Sequence, residues 1–329
     1  MLRRLLAAVA ALLVVAAMAA GAAWHYADSY LHAAGPLQQR AVIVLPRGGH
    51  VGTLAQRLAA AGAIEHPWLF ETLARLTGRD RGLKAGEYAI EPGMSPLDVL
   101  ALVASGKVLL HPIVVPEGLT VQEVYALLRE SDVLAGELPP PPPEGSLLPE
   151  TYLVPRDEPR AKLVERMQAA MRKTLDELWT QRRQGLGLRT PEEALTLASI
   201  IEKETAKPEE YGLVAAVFYN RLEKGMKLQT DPTVIYALSQ GRGPLGRELT
   251  RADLEVDSPY NTYRVEGLPP GPIANPGKAA LEAALDPAPV DYLYFVASGD
   301  GGHVFARTLE EHNRNVARWR KLKSQNGSG

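Results

Sequence analysis

Thr190-Pro191-Glu192-Glu193-Ala194-Leu195-Thr196-Leu197-Ala198-Ser199-Ile200-Ile201-Glu202-Lys203-Glu204-Thr205 is the stretch around which the rest of the chain is read. It opens as a helix. Thr190 suits the N-cap, Pro191 suits the first helical position, and Glu193 completes a capping box. Lys207-Pro208 ends it. A second helix follows from Glu209, carries Val214, Val217, Phe218 and Leu222, and stops at Gly225. At about 100° per residue, Glu202 and Glu204 point to nearly opposite sides. Glu204 follows Leu197, Ile200 and Ile201 and emerges from the apolar side. Glu202 follows Ala198 and Ser199 and sits nearer the small or polar side. A carboxyl held against apolar side chains is costly to ionise, so its pKa rises. That is what a general acid needs near neutral pH. The competing reading is a buried acid paired with an arginine, Arg221 or Arg251.

Downstream, Leu228-Gln229-Thr230-Asp231-Pro232-Thr233 is another helix start, with Asp231 as cap and Pro232 at the first position. Ser258-Pro259-Tyr260-Asn261-Thr262-Tyr263 is a polar aromatic loop, and the stretch from Gly267 to Gly277 is rigid and irregular. Tyrosine rings stack on sugar C–H faces, and Asn and Gln amides bond hydroxyl and acetamido groups. Gln229, Thr230, Asp231, Tyr260, Asn261 and Tyr263 are therefore candidate sugar contacts. The plainer reading keeps Asp231 as a cap and the prolines as loop shapers. Tyr292–Val296 and His303–Ala306 flank Gly299-Asp300-Gly301-Gly302 and predict a β-hairpin. Its glycines form a turn and not a phosphate loop, because no helix or Lys-Ser/Thr follows. A basic amphipathic helix is expected from Leu309 to Lys323.

Upstream, three segments resemble one another: Val44 through Ile64, Ile90 through Val108, and Val115 through Leu134. Each reads as a short strand, a turn with Pro and Gly, and a short amphipathic helix. The span from about Val42 to Val108 has a strand–helix–helix–strand order similar to LysM-like carbohydrate-binding domains; a structural spacer is the alternative. Pro139 to Pro143 is an unbroken proline run, extended as polyproline II, in a loop leading to the next domain. The residues after Arg160 are expected to be helical, up to Gly185-Leu186-Gly187.

At the N-terminus, Leu5 to Ala23 carries no charged side chain. As a helix these roughly 19 residues just span a hydrocarbon core of about 30 Å. Arg3 and Arg4 precede the run, and Trp24 and Tyr26 follow it, where interfacial aromatics belong. The positive-inside rule keeps the N-terminus cytoplasmic and exports the rest. A cleaved signal peptide is the competing reading, with Ala17-Met18-Ala19 and Ala20-Gly21-Ala22 as small-residue cleavage sites. Among the 329 residues, 36 Lys and Arg balance 38 acids, which leaves no electrostatic footprint for nucleic acid. Cysteine is absent, so no thiolate ligand, disulfide or Cys nucleophile is available. The seven histidines show no metal-ligand spacing. No metal and no cofactor are expected.

Leu197 through Thr205, Phe218-Tyr219-Asn220-Arg221-Leu222, Leu228 through Tyr236, Tyr260-Asn261-Thr262-Tyr263 and Gly267 through Ile273 together resemble the endolytic murein transglycosylases, the YceG-like family. Glu144-Gly145 followed by Leu148-Pro149-Glu150-Thr151-Tyr152 resembles a further family segment, with Leu148 at the usual aromatic and Glu150 at the usual Asp. The resemblance implies that the second acid of Glu202-Lys203-Glu204 is catalytic, which is Glu204, and adds Glu150 as a candidate substrate contact. It implies a non-hydrolytic cut between N-acetylmuramic acid and N-acetylglucosamine that leaves 1,6-anhydro ends, with the enzyme acting as a terminase of nascent strands. Peptidoglycan glycan strands are the expected substrate, and penicillin-binding proteins or other wall synthases the expected partners. A muramidase that uses water and a non-enzymatic peptidoglycan-binding scaffold remain as alternatives. The expected class is α+β: a cytoplasmic stub (1–4), a transmembrane anchor (5–24) in the inner membrane, a LysM-like module (42–110), a connecting strand–helix and proline-rich loop (111–143), and a periplasmic mixed α/β catalytic domain with a helix-borne glutamate (144–325).

Overall fold

An apolar stretch with nothing to bury it forms a helix whose side chains face outward. Helix α1 spans Leu2–His32. Its most apolar window has a mean hydropathy of 2.5 and is not buried, so by length and composition the helix can cross a membrane. Beyond the apolar run, Ala27 and Leu31 pack with Leu69 and Leu73, which carries the helix past Ala23. The computed structural model describes residues 1–326. The chain forms two units, Met1–His111 with Leu153–Arg156, and Pro112–Tyr152 with the residues from Asp157 onward.

In the first unit, β1 (Ala41–Leu45), α2 (Val51–Ala60), α3 (Pro67–Leu76) and β2 (Gly86–Ile90) are followed by α4 (Pro96–Ser105). The two strands pair antiparallel, with Ala41 opposite Ile90 and Leu45 opposite Gly86. Ile43 and Leu45 are buried while Val42 and Val44 are exposed, so one face of the ribbon covers a core of Leu54, Leu58, Phe70, Tyr88 and Leu100. The expected strand–turn–helix repeat occurs three times: β1 into α2 and β2 into α4 in this unit, and β3 (Leu110–Val114) into α5 (Val121–Glu130), which lies in the second. Gly48, Gly93 and Gly118 take positive φ in the three turns, which an L side chain adopts only under strain. Ser95 and Thr120 close full capping boxes with Asp98 and Glu123.

In the second unit, β4 (Leu134–Ala135) and β6 (Glu158–Pro159) precede α6 (Arg160–Gln181), α7 (Pro191–Glu204), α8 (Tyr211–Glu223), α9 (Asp231–Ser239) and α10 (Lys278–Leu285), while β5 (Thr151–Pro155) has residues in both units. The hairpin β7 (Tyr294–Ala297) and β8 (His303–Ala306) forms antiparallel as expected, and α11 (Leu309–Asn326) closes the order. β3 pairs with β5, and β4 pairs in parallel with β6. The class is therefore mixed α+β with an N-terminal apolar helix.

Helix α7 is the centre of this unit. Ala194, Leu197, Ala198, Ile200 and Ile201 are fully buried, and α6, α8, α9 and α10 pack around it. Small residues on both sides, Ala194 and Ala198 in α7 and Ala280 and Ala284 in α10, let those two helices approach closely. Burying each isoleucine stabilises the unit by about 1.5–3 kcal/mol. At its start, Thr190 Oγ1 accepts from the Glu193 N–H at 3.2 Å, but the expected capping box does not close. The Glu193 carboxylate turns to Arg189 instead, accepting from its backbone N–H and its guanidinium, each at 2.6 Å. A charged donor outcompetes the Thr190 N–H.

Two buried polar residues tie the irregular loops to this helix core. Ser199 Oγ donates to Thr196 O at 2.7 Å and accepts from the Ile273 N–H at 3.0 Å. Asn275, fully buried, accepts from the Leu147 N–H at 2.9 Å and donates through Nδ2 to Leu119 O at 2.8 Å. Asn275→Ala leaves the Leu147 N–H unpaired. It is expected to lower the unit's stability by about 1–3 kcal/mol, read as a lower urea midpoint at unchanged m.

Candidate active site

Glu204 is the last residue of α7. The helix stops there because Thr205 turns extended, at φ −139 and ψ 141, and is held in place. Its hydroxyl donates to Glu210 Oε2 at 2.9 Å and accepts from the Lys207 N–H at 3.1 Å. Glu210 in turn accepts from His303 at the start of β8, at 2.9 Å from the backbone and 2.7 Å from Nδ1. The end of α7 is thus fastened to the hairpin.

The Glu204 side chain is half-buried. Burial pushes its pKa up to about 7; the neighbouring Asp231 charge adds to the rise, while the Thr230 hydroxyl and Arg221 pull it down. The negative end of the α7 dipole also disfavours a carboxylate at this position. The alternative of a Glu204–arginine ion pair is not realised among the described residues. Arg221 is buried, and its guanidinium donates to Leu293 O and Leu228 O, each at 2.7 Å, and to Lys227 O at 3.3 Å. It lies over the Tyr294 ring, 5.3 Å from the centroid. Arg251 is exposed.

Glu202 departs from the simple face argument. It is half-buried and accepts from Tyr211 Oη and the Gly277 N–H, both at 2.9 Å. Burial raises its pKa, against the pull of those two donors. Both acids therefore resist ionisation, but the carboxyl of Glu202 is engaged in joining α7, α8 and the start of α10.

The segment facing Glu204 is built around Thr262. Gln229 takes a left-handed conformation, φ 53, and its N–H donates to Thr262 O at 3.1 Å. The Thr230 N–H donates to Thr262 Oγ1 at 3.0 Å, and the Thr233 and Thr262 hydroxyls pair at 2.8 Å. This sets the first turn of α9. The N-cap is Thr230, one residue before the expected Asp231, and it makes no side-chain cap bond. Asp231 is instead the first residue of α9, with Pro232 second, so its carboxylate is not in the cap position. Its Oδ1 accepts from Tyr263 Oη at 2.6 Å. Burial and the Asp231 bond raise the Tyr263 pKa, so the phenol is the donor.

Of the expected sugar contacts, Thr230, Asp231 and Tyr263 thus gather at Glu204, with Gln229 exposed beside them. Asn261 does not offer an amide to a ligand. It is fully buried, its Nδ2 donates to Leu254 O and Val256 O, and its Oδ1 accepts from the Tyr263 N–H. Its work is to shape the loop. Tyr260 packs on Tyr236, with ring centroids 4.9 Å apart, and Glu150 is an exposed residue whose carbonyl accepts from the Val115 N–H. A cavity of about 1610 Å³ lies beside the first turns of α7, lined by Glu144, Thr196, Tyr260 and the loop from Gly267 to Pro272. Glu204 is not among its lining residues. Thr262 and Glu210 carried no role at the level of sequence, because their partners lie far away in the chain. A carboxyl protonated near neutrality, without a cationic partner and with a second carboxylate nearby, can give a proton to a ligand atom and take one back.

The chain belongs to the YceG-like family, whose model matches residues 43–318. It is 33% identical over 304 residues to a protein of Bacillus subtilis strain 168 named endolytic murein transglycosylase, covering 83% of this chain and 82% of that one. A protein of the same name from Streptococcus pneumoniae strain D39 is 30% identical over 358 residues, covering 93% of this chain and 64% of that longer one. Among solved structures, a putative YceG-like protein of Listeria monocytogenes is 33% identical with a TM-score of 0.53, covering 84% of this chain and 99% of that one.

A carboxyl whose pKa is raised from 4.5 to about 7 stabilises the folded state fully below 4.5, and that contribution is lost as pH climbs through 7. Glu204→Gln removes the loss. At pH 8 the variant is expected to melt roughly 2–6 °C above wild type, with little difference at pH 4. Parallel melting curves at both pH values would contradict the raised pKa.

Proposed function

We propose that this chain cuts the glycan strands of peptidoglycan as an endolytic lytic transglycosylase, with Glu204 as general acid and then general base. The observation that carries the reading is a half-buried carboxyl with a pKa near 7 and, among the described residues, no ion-pair partner. The family membership and the names of the Bacillus and Streptococcus relatives support the substrate.

In the first step protonated Glu204 gives its proton to the oxygen linking C1 of N-acetylmuramic acid to N-acetylglucosamine. The C1–O bond breaks, and the N-acetylglucosamine side leaves with a hydroxyl. Glu204, now ionised, takes the proton of the C6 hydroxyl on the same muramic residue. That oxygen bonds C1, giving a 1,6-anhydro end and restoring the protonated acid. No water is consumed. One carboxyl serves both steps because the nucleophile belongs to the substrate. Asp231, aligned by Tyr263 Oη, offers negative charge to the developing oxocarbenium ion.

The nearness of Asp231 also favours a second reading, a muramidase in which that carboxylate activates water. Digestion in ¹⁸O-labelled water separates the two. The expected products are anhydro ends without the label; labelled reducing ends would replace this reading with the muramidase.

The first unit's β–α–α–β ribbon is read as a LysM-like glycan-binding module spanning 42–110 beside a catalytic domain spanning 144–325. Helix α1 is the single-pass anchor, with Arg3 and Arg4 holding the N-terminus in the cytoplasm and the two units outside the inner membrane. So tethered, the enzyme meets nascent strands near penicillin-binding proteins and acts as a terminase. Glu204→Gln is expected to lower turnover of purified glycan by about a thousandfold, measured by release of anhydro-ended products. Wild-type turnover by this variant would remove Glu204 from the mechanism.

A further inference from the structure

Thr230 is 2% exposed, yet among the described residues its hydroxyl oxygen has no partner in full hydrogen-bond geometry. A buried hydroxyl without a partner is costly and rare. Its place in the fold sharpens the anomaly. Thr230 is the N-cap of α9, where a threonine hydroxyl ordinarily accepts from an N–H of the first turn, and here that bond is missing. The other polar groups of the residue are occupied. Its N–H donates to Thr262 Oγ1 at 3.0 Å, and its carbonyl accepts from Thr233 Oγ1 at 2.7 Å. Backbone and burial therefore fix Thr230 firmly and leave one group unused. That group faces the Glu204 carboxyl closely enough to favour its charged form.

We propose that Thr230 is a positioning residue for Glu204. Its hydroxyl donates to one carboxyl oxygen and leaves the other to face the glycosidic oxygen. The inference rests on the catalytic reading of Glu204. The threonine proton is never transferred; it steadies the carboxylate that exists between the two half-reactions. The charged and titratable groups that face Glu204 do not supply this bond. Asp231 and its partner Tyr263 bring negative charge and an engaged phenol. Arg221 acts from a distance, with its guanidinium turned to the carbonyls of Lys227, Leu228 and Leu293. A cap bond has been given up so that a rigid donor can face the acid.

The test compares Thr230→Val, which keeps the shape and removes the hydroxyl, with Thr230→Ser, which keeps the hydroxyl. For the full chain in detergent, kcat and KM on purified glycan are measured across pH beside Glu204→Gln. Thr230→Val is expected to lower kcat about tenfold with KM unchanged, and to move the alkaline limb of the profile up by about one pH unit. Thr230→Ser restores both. A Thr230→Val profile superimposable on wild type overturns the inference, as does a serine variant no better than valine. Activity retained by Glu204→Gln marks failure of the catalytic reading itself. Should the valine variant not fold, the wild-type minus Glu204→Gln infrared difference spectrum reads the protonated carboxyl directly. A hydrogen-bonded C=O stretch is expected, and the frequency of a free carboxyl overturns the proposal.

Discussion

The second unit depends on one constraint: a helix buried almost all round ends in a carboxyl. The residues that make α7 the centre of the packing, Leu197, Ile200 and Ile201 among them, also fix where its final turn lies. A carboxylate there must find a cation, find several donors, or stay protonated. The nearest arginine is committed to three backbone carbonyls, and Asp231 adds charge of the wrong sign for ionisation. Glu204 stays protonated to about pH 7 as a result. Glu202, two residues earlier, gains the Tyr211 phenol and the Gly277 N–H as donors, although burial still raises its pKa. The same helix carries a joining acid and a proposed reactive one.

The loops around this helix are irregular, so their backbone groups need partners outside any ladder. Short polar side chains provide them. Asn261 gathers its own loop, Asn275 joins Leu119 to Leu147, Ser199 secures Ile273, and Thr262 sets the turn before α9. Each of these is fully buried, and each supplies bonds that water would otherwise have to make. This polar scaffold brings Asp231 and Tyr263 to Glu204. It also explains why Thr230 is so closely held that its hydroxyl cannot seek a partner elsewhere.

In the first unit the same local device is used repeatedly. A strand is followed by a glycine with positive φ, a side chain caps the next helix (His50 for α2, Ser95 for α4), and the helix folds back on the core. Only α1 escapes burial, apart from the Ala27 and Leu31 face that docks on Leu69 and Leu73. The apolar character of α1 is therefore not a packing requirement of the fold.

By itself the sequence determined the local elements. The apolar run, the strand–turn–helix repeats, the α7 helix with its Thr190 cap and the β7–β8 hairpin are all set by periodicity, turn chemistry and capping, which act over a few residues. The apolar face of α7 pointed to Glu204, but Glu202 is half-buried as well and also resists ionisation. Tertiary structure decided how each polar group was used, because hydrogen-bond partners come from distant parts of the chain. It turned Glu193 toward Arg189, moved the α9 cap to Thr230, buried Asn261 as a loop former and engaged Glu202. Among the described residues it also left Glu204 without an arginine ion pair, Arg221 acting on it only from a distance. A spacing pattern reports which side of a helix a carboxyl leaves. Whether a cation waits there depends on how the rest of the chain folds.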